Sequence, residues 1–252
     1  MSDRSPPPNG RLARTGSAVV SLGRKALPEG IREQLLWRSP LRWVFLSRKR
    51  RLMMRRHPAD HVCEKGVTRI CIEGYPRSSN TFAGRMFHLA NPVPVAHHTH
   101  SVNNIKLALG YEIPVLVLIR DPADAVASAC IYGKQSVESE LVRWLSFYEY
   151  VQRVTNRLVL ANFDEVTCNF NAVIARVNQK YGTGFRLLDD LEAARREVFE
   201  GIGEYAARMG RGGDKIPMPV ADREELKARQ RSLVSQHPLI GSAHALYARL
   251  TS

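Results

Sequence analysis

Nowhere in the 252-residue chain is there a run of about 18 apolar residues, so no membrane-spanning helix is expected. A signal-peptide core is lacking too. Ser17 to Leu22 is too short and too polar for one, and the chain is expected to stay in the cytoplasm. Cysteine is scarce: Cys63, Cys71, Cys130 and Cys168 form no CxxC pair and have no histidine at zinc-ligand spacing. That pattern speaks for reduced, mostly buried thiols. Acidic residues also run short, with 24 Asp and Glu against 37 Lys and Arg, a net charge of +13. The imbalance is local. Residues 1–60 hold 14 Lys and Arg against 4 Asp and Glu, a surplus of +10 that leaves only +3 for the rest. Basicity is therefore a property of the N-terminal segment.

What remains has the make-up of an ordinary globular protein, 44% hydrophobic and 24% charged. Residues 1–30 read as a flexible lead, because Ser5-Pro6-Pro7-Pro8-Asn9-Gly10 cannot join a helix or a sheet interior. Residues 31–60 form a basic amphipathic segment. Between Ile31 and His57, Trp37, Trp43, Phe45, Met53 and Met54 interleave with arginines such as Arg38, Arg42, Arg50 and Arg55. Such a mixture suits either packing on the neighbouring domain or peripheral contact with an anionic membrane at its inner surface. No nucleic-acid reading motif accompanies the charge, so nucleic acid is not an expected partner. A single domain is expected over 61–252, without internal repeats.

Strand and helix patterns alternate through that domain, which predicts α/β architecture, a parallel sheet flanked by helices. Val67–Glu73 reads as a strand, Gly74–Thr81 as a loop and Phe82–Leu89 as a helix. Pro114–Ile119 is an unbroken apolar run, as a strand covered on both faces requires. Asp121-Pro122-Ala123-Asp124 then opens a helix to about Ile131, with Asp121 as N-cap and Pro122 at the first helical position. Asp121 is alternatively a Walker B acid after a hydrophobic strand. A long helix over Glu138–Asn156, a strand over Arg157–Leu160, and helices near Asn171–Tyr181, Asp189–Gly201 and Arg223–Ser235 complete the pattern.

The strand–loop–helix unit at Gly74–Thr81 is the first chemical signal. Unpaired N–H groups at a helix start and the helix dipole make an anion site there. The loop has the length of a Walker A loop, with Gly74 as the first glycine and Thr81 as the terminal hydroxyl residue of G-x-x-x-x-G-K-S/T. The likeness to a Walker A loop implies, as an expectation, a P-loop-NTPase-like three-layer sandwich. Ser79 replaces the second glycine and Asn80 the lysine. Phosphoryl transfer from a nucleoside triphosphate needs that lysine and Mg²⁺. A phosphosulfate needs less charge, and its loop cation can be Arg77, permanently charged and forked.

Tyr75-Pro76-Arg77-Ser78-Ser79-Asn80-Thr81-Phe82 resembles the 5′-phosphosulfate loop of the sulfotransferase family, commonly Y-P-K/R-S-G-T/N-T-W, with Ser79 for glycine and Phe82 for tryptophan. Two further segments match in order. Arg120-Asp121-Pro122-Ala123-Asp124, with Ser128 eight residues after Arg120, fits the family's R-D/N-P-x-D-x-x-x-S. Arg208-Met209-Gly210-Arg211-Gly212-Gly213-Asp214-Lys215 resembles R-K-G-x-x-G-D-W-K, with Met209 in place of lysine and the tryptophan missing. Phe163 stands where the family often has the tyrosine of Y-E-D-L. The resemblance spans about Val67–Lys215 and implies a transferase using 3′-phosphoadenosine-5′-phosphosulfate (PAPS) as co-substrate, with no metal. It implies that Arg77, Ser78, Ser79, Asn80, Thr81 and Phe82 hold the 5′-phosphosulfate. Arg120 and Ser128 would bind the 3′-phosphate, Arg208, Met209 and Gly210 would close over it, and Phe163 would line the site.

Sulfuryl transfer to a hydroxyl needs a base, and histidine has a suitable pKa. Thr99-His100 aligns with the end of the family's K-T-H, so His100 is the expected base, with Arg77 the second catalytic group. His98 replaces the lysine and is a candidate partner of the transferring group. Three histidines within Ala96–His100 also raise zinc. An extended chain would point His97 and His98 apart, however, so no metal is expected. The acceptor is open among a glycan, a lipid-linked sugar and a small alcohol. Rival readings are a P-loop kinase using ATP, and a catalytically degenerate nucleotide-binding module at the membrane surface.

Overall fold

The computed structural model describes residues 62–133, 135–208 and 224–252. The lead 1–30, the whole basic segment 31–60, and Met209 to Lys215 of the third motif lie outside the described residues.

Four strands form an all-parallel sheet: β1 (Ile70–Gly74), β2 (Val95–His97), β3 (Val115–Ile119) and β4 (Val159–Asn162), in the order β2-β1-β3-β4. The two central strands are buried along their whole length, as the unbroken apolar run of β3 demands. Period-2 alternation divides the core in two. Ile70, Ile72, Leu116 and Leu118 face α1 (Asn80–Ala90), α6 (Phe170–Tyr181) and α7 (Leu191–Arg208). Cys71, Val115, Val117 and Ile119 face α2 (Val102–Gly110), α3 (Pro122–Gly133), α4 (Val137–Arg153) and α9 (Ile240–Thr251). α8 (Glu224–Ser235) packs on α3, and the short α5 (Phe163–Cys168) follows β4. The sheet is thus covered on both faces, an α/β sandwich.

Several boundaries differ from the sequence reading. β1 begins at Ile70, since Val67 is still in a turn closed by its N–H on the Glu64 carbonyl, 3.2 Å. The predicted strand at Arg157–Leu160 runs instead from Val159 to Asn162, after a 3₁₀ turn at Thr155–Arg157. There a capping box stops it: the Asn162 side chain takes the Glu165 N–H at 2.9 Å, and the Glu165 carboxylate takes the Asn162 N–H at 2.8 Å. β2, α2, α5 and α9 had no counterpart in the predicted pattern.

Candidate functional site

The carboxyl ends of β1, β3 and β4 converge on one edge of the sheet, where open α/β sheets take ligands. Between β1 and α1 runs the loop Tyr75–Ser79. Gly74 is there for space: a Cβ would come 2.6 Å from the Leu118 carbonyl oxygen of the adjacent strand. Arg77 (φ 69°) and Ser79 (φ 66°) are both left-handed, and Ser79 is the N-cap of α1 without a side-chain capping bond. The position that carries glycine in the resembled loop is therefore one whose backbone favours glycine.

Most other loop side chains are turned inward. Ser78 is fully buried, its hydroxyl 3.5 Å from that of Tyr148. Asn80 is buried and donates to the Tyr75 carbonyl at 2.9 Å, so it braces the loop from within. Phe82 stacks on Phe199 in the core, ring centroids 5.2 Å apart. Two reach out. Thr81 hydrogen-bonds Nε2 of His98 at 3.0 Å, and the Arg77 Nε donates to the Ser128 hydroxyl at 2.9 Å with its guanidinium over the Tyr132 ring.

Arg120 leaves the end of β3, donates to the Arg77 carbonyl at 3.3 Å and lies 4.3 Å above the Phe163 ring. Arg77, Arg120, Ser128 and Phe163, separate in sequence, are in this way gathered together. Burial pulls the Arg120 guanidinium below its ordinary value, against Asp124, Asp121 and Asp164; an arginine stays charged regardless. Asp121 takes the Asp124 N–H at 3.1 Å, so the N-cap role is the one it fills. Arg208 ends α7, exposed, and its charge is felt by Arg85 of α1. Met209 and Gly210 lie outside the described residues. Sequence reasoning missed Arg231, which reaches Asp124 from α8 at 3.3 Å. No spacing rule ties a residue that far downstream to the motifs.

The histidines corrected one premise. The chain is not extended through them, because His98 (φ 63°) and His100 (φ 50°) are left-handed. His97 and His98 consequently meet, Nδ1 to Nδ1 at 2.9 Å, and the His98 and His100 rings lie 5.3 Å apart. Among the described residues no three of His, Cys, Asp and Glu group as metal ligands. His100 Nδ1 is 2.9 Å from the Gly74 carbonyl, which can only accept. Nδ1 therefore carries a hydrogen, and in the neutral ring Nε2 is the acceptor nitrogen.

Sequence reasoning also missed Glu73, fully buried at the end of β1. Its carboxylate accepts the N–H of Thr99 (3.0 Å) and of His100 (2.9 Å), the Thr99 hydroxyl, and the Asn104 amide (2.8 Å). Burial pushes this carboxyl up from 4.5 to about 7, with the hydrogen bonds pulling the other way. An acid inside a strand that must be covered on both faces was the available signal, since such a charge needs partners.

Fold and site define an α/β protein with a helix-opening loop, two arginines and a histidine gathered at the carboxyl edge of a parallel sheet. No family model matches the chain, and no curated protein matches it. Among the described residues, no helix is long and apolar enough to cross a membrane.

Proposed function

We propose that the chain is a sulfotransferase, moving a sulfuryl group from PAPS to a hydroxyl or amine acceptor. One observation carries the reading: the Arg77 Nε–Ser128 Oγ hydrogen bond, 2.9 Å, which joins two motif segments 51 residues apart. The donor set fits an anionic nucleotide. Arg77 faces the 5′-phosphosulfate, and Arg120 with Ser128 takes the 3′-phosphate. In the transfer step the acceptor oxygen or nitrogen bonds to sulfur as the sulfur–oxygen bond to the 5′-phosphate breaks. His100 Nε2 receives the acceptor's proton, and the bisphosphate leaves with its charge balanced by Arg77. The kinase alternative is disfavoured because Asn80, in the lysine position, is buried and bonded to the Tyr75 carbonyl.

The test compares ligands by thermal shift. Adenosine 3′,5′-bisphosphate is expected to stabilise the chain well beyond ATP with Mg²⁺; the reverse order would favour the kinase. Arg120→Ala should weaken bisphosphate binding by about 2–3 kcal/mol, the loss of a charge-assisted pair. His100→Ala should abolish transfer of labelled sulfate with bisphosphate affinity nearly unchanged. Contact of residues 31–57 with an anionic membrane belongs to the same proposal and suits a lipid-linked acceptor. Anionic vesicles should pellet the full chain and leave a chain starting at Gly66 in solution; equal, negligible pelleting of both removes it.

A further inference from the structure

We infer that Glu73 is a positioning residue for His100, holding the imidazole so that Nε2 is the nitrogen offered to the acceptor. The assignment of Nε2 to that task rests on the reading of His100 as the base. The clamp itself does not.

Glu73 and Gly74 are consecutive residues at the end of β1, and together they hold His100 at two points. The Glu73 carboxylate takes its backbone N–H at 2.9 Å, and the Gly74 carbonyl takes its ring Nδ1 at 2.9 Å. Between those holds the His100 backbone stands at φ 50°, and His98 two residues before at φ 63°. Left-handed backbone in residues other than glycine persists only where neighbours enforce it. The enforcing contacts are the donors that end on Glu73: two N–H groups, the Thr99 hydroxyl and the Asn104 amide. The Asn104 Oδ1 accepts the Cys63 N–H at 2.8 Å, which fixes the amide with its NH₂ toward Glu73. Every partner donates, so the arrangement matches an ionised carboxylate; a protonated one would set its own hydrogen against a donor.

Among the described residues, the ionisable residues in recorded contact with Glu73 are His100, through its backbone N–H, and the buried Cys71 thiol, which feels its charge. Since burial places the Glu73 carboxyl at about 7, the clamp tightens as pH rises through neutrality and slackens below it.

The test reads the His100 ring by nitrogen-15 NMR on the full chain. At about pH 8 the unaltered protein should hold His100 as the single Nδ1–H tautomer. Glu73→Gln should give a mixture of tautomers at the same pH. Thr99→Val, a milder change that keeps the charge, removes a bond that lowers the Glu73 pKa and should move the onset of the ordered tautomer to higher pH. Where transfer is measured, Glu73→Gln should cut kcat at least a hundredfold with KM unchanged. A folded Glu73→Gln that keeps the single tautomer overturns the inference. If Glu73→Gln does not fold, Thr99→Val decides, and an unmoved onset overturns it. The expected tautomer shifts with no sulfuryl transfer by the unaltered chain would uphold the clamp and sink the sulfotransferase reading alone.

Discussion

Ser79 holds a left-handed backbone at the start of α1 and its side chain makes no capping bond there, so its Cβ is a burden without a return. For an L-residue this conformation costs about 1–2 kcal/mol, while glycine's own entropic penalty is about 0.5–1 kcal/mol. Ser79→Gly should therefore stabilise the protein by about 0.5–1 kcal/mol, read as a higher denaturation midpoint; an unchanged or lower midpoint would contradict the strain argument. Gly74 is the opposite case. Its Cβ would meet the Leu118 carbonyl oxygen at 2.6 Å, and backbone cannot swing aside as a side chain can. Gly74→Ala should cost about 2–3 kcal/mol by the same measurement and shift the loop that carries Arg77.

The capping box ties β4 to α5 and turns Phe163 under Arg120, so its loss should be felt twice. Asn162→Ala removes the acceptor of the Glu165 N–H and should cost about 1 kcal/mol in a chemical denaturation experiment. It should also loosen Phe163 and weaken bisphosphate binding; a stability loss with binding intact would make Phe163 a packing residue only. The same junction marks what can be read from a sequence. β3 and the start of α3 were legible because an unbroken apolar run and an Asp-Pro pair each have one structural meaning. Arg77 and Arg120 were singled out by the resemblance of their two segments to the sulfotransferase loops, and the fold brings the two residues together, Arg120 on the Arg77 carbonyl. β2 was hidden because it has only three residues and ends on the first of the histidines. α9 was passed over although its signal was present: Ile240, Ala243, Leu246, Tyr247 and Leu250 recur at helical spacing and pack on the core. α5 carried an N-x-x-E signature, yet its phenylalanine reads equally well as the last residue of a strand. Glu73 resisted for another reason: in one dimension it looks like a break in an apolar strand, and its donors lie 26 to 31 residues away.

The whole sheet is sealed by helices on both faces, and Glu73 sits inside that seal, so its ionisation bears on the stability of the entire molecule. Its carboxyl is raised from 4.5 in the unfolded chain to about 7 in the fold, so the folded state holds the proton more tightly. Stability from this group is fully present below about pH 4.5 and is lost as pH rises through 7. The span corresponds to something on the order of 3 kcal/mol at most. The ionised form that clamps His100 is thus the form the fold tolerates least, a site maintained at the expense of stability. Urea denaturation at about pH 5 and pH 8 should give the unaltered protein a stability difference favouring the acid side, over and above other groups. Glu73→Gln carries no ionisable group there, so the difference between variant and unaltered protein should change by about 2–3 kcal/mol between the two pH values. Parallel stability curves for the two proteins across that interval would mean that Glu73 ionises in the fold much as it does in the open chain, and the buried-carboxylate account of the site would fall with that result.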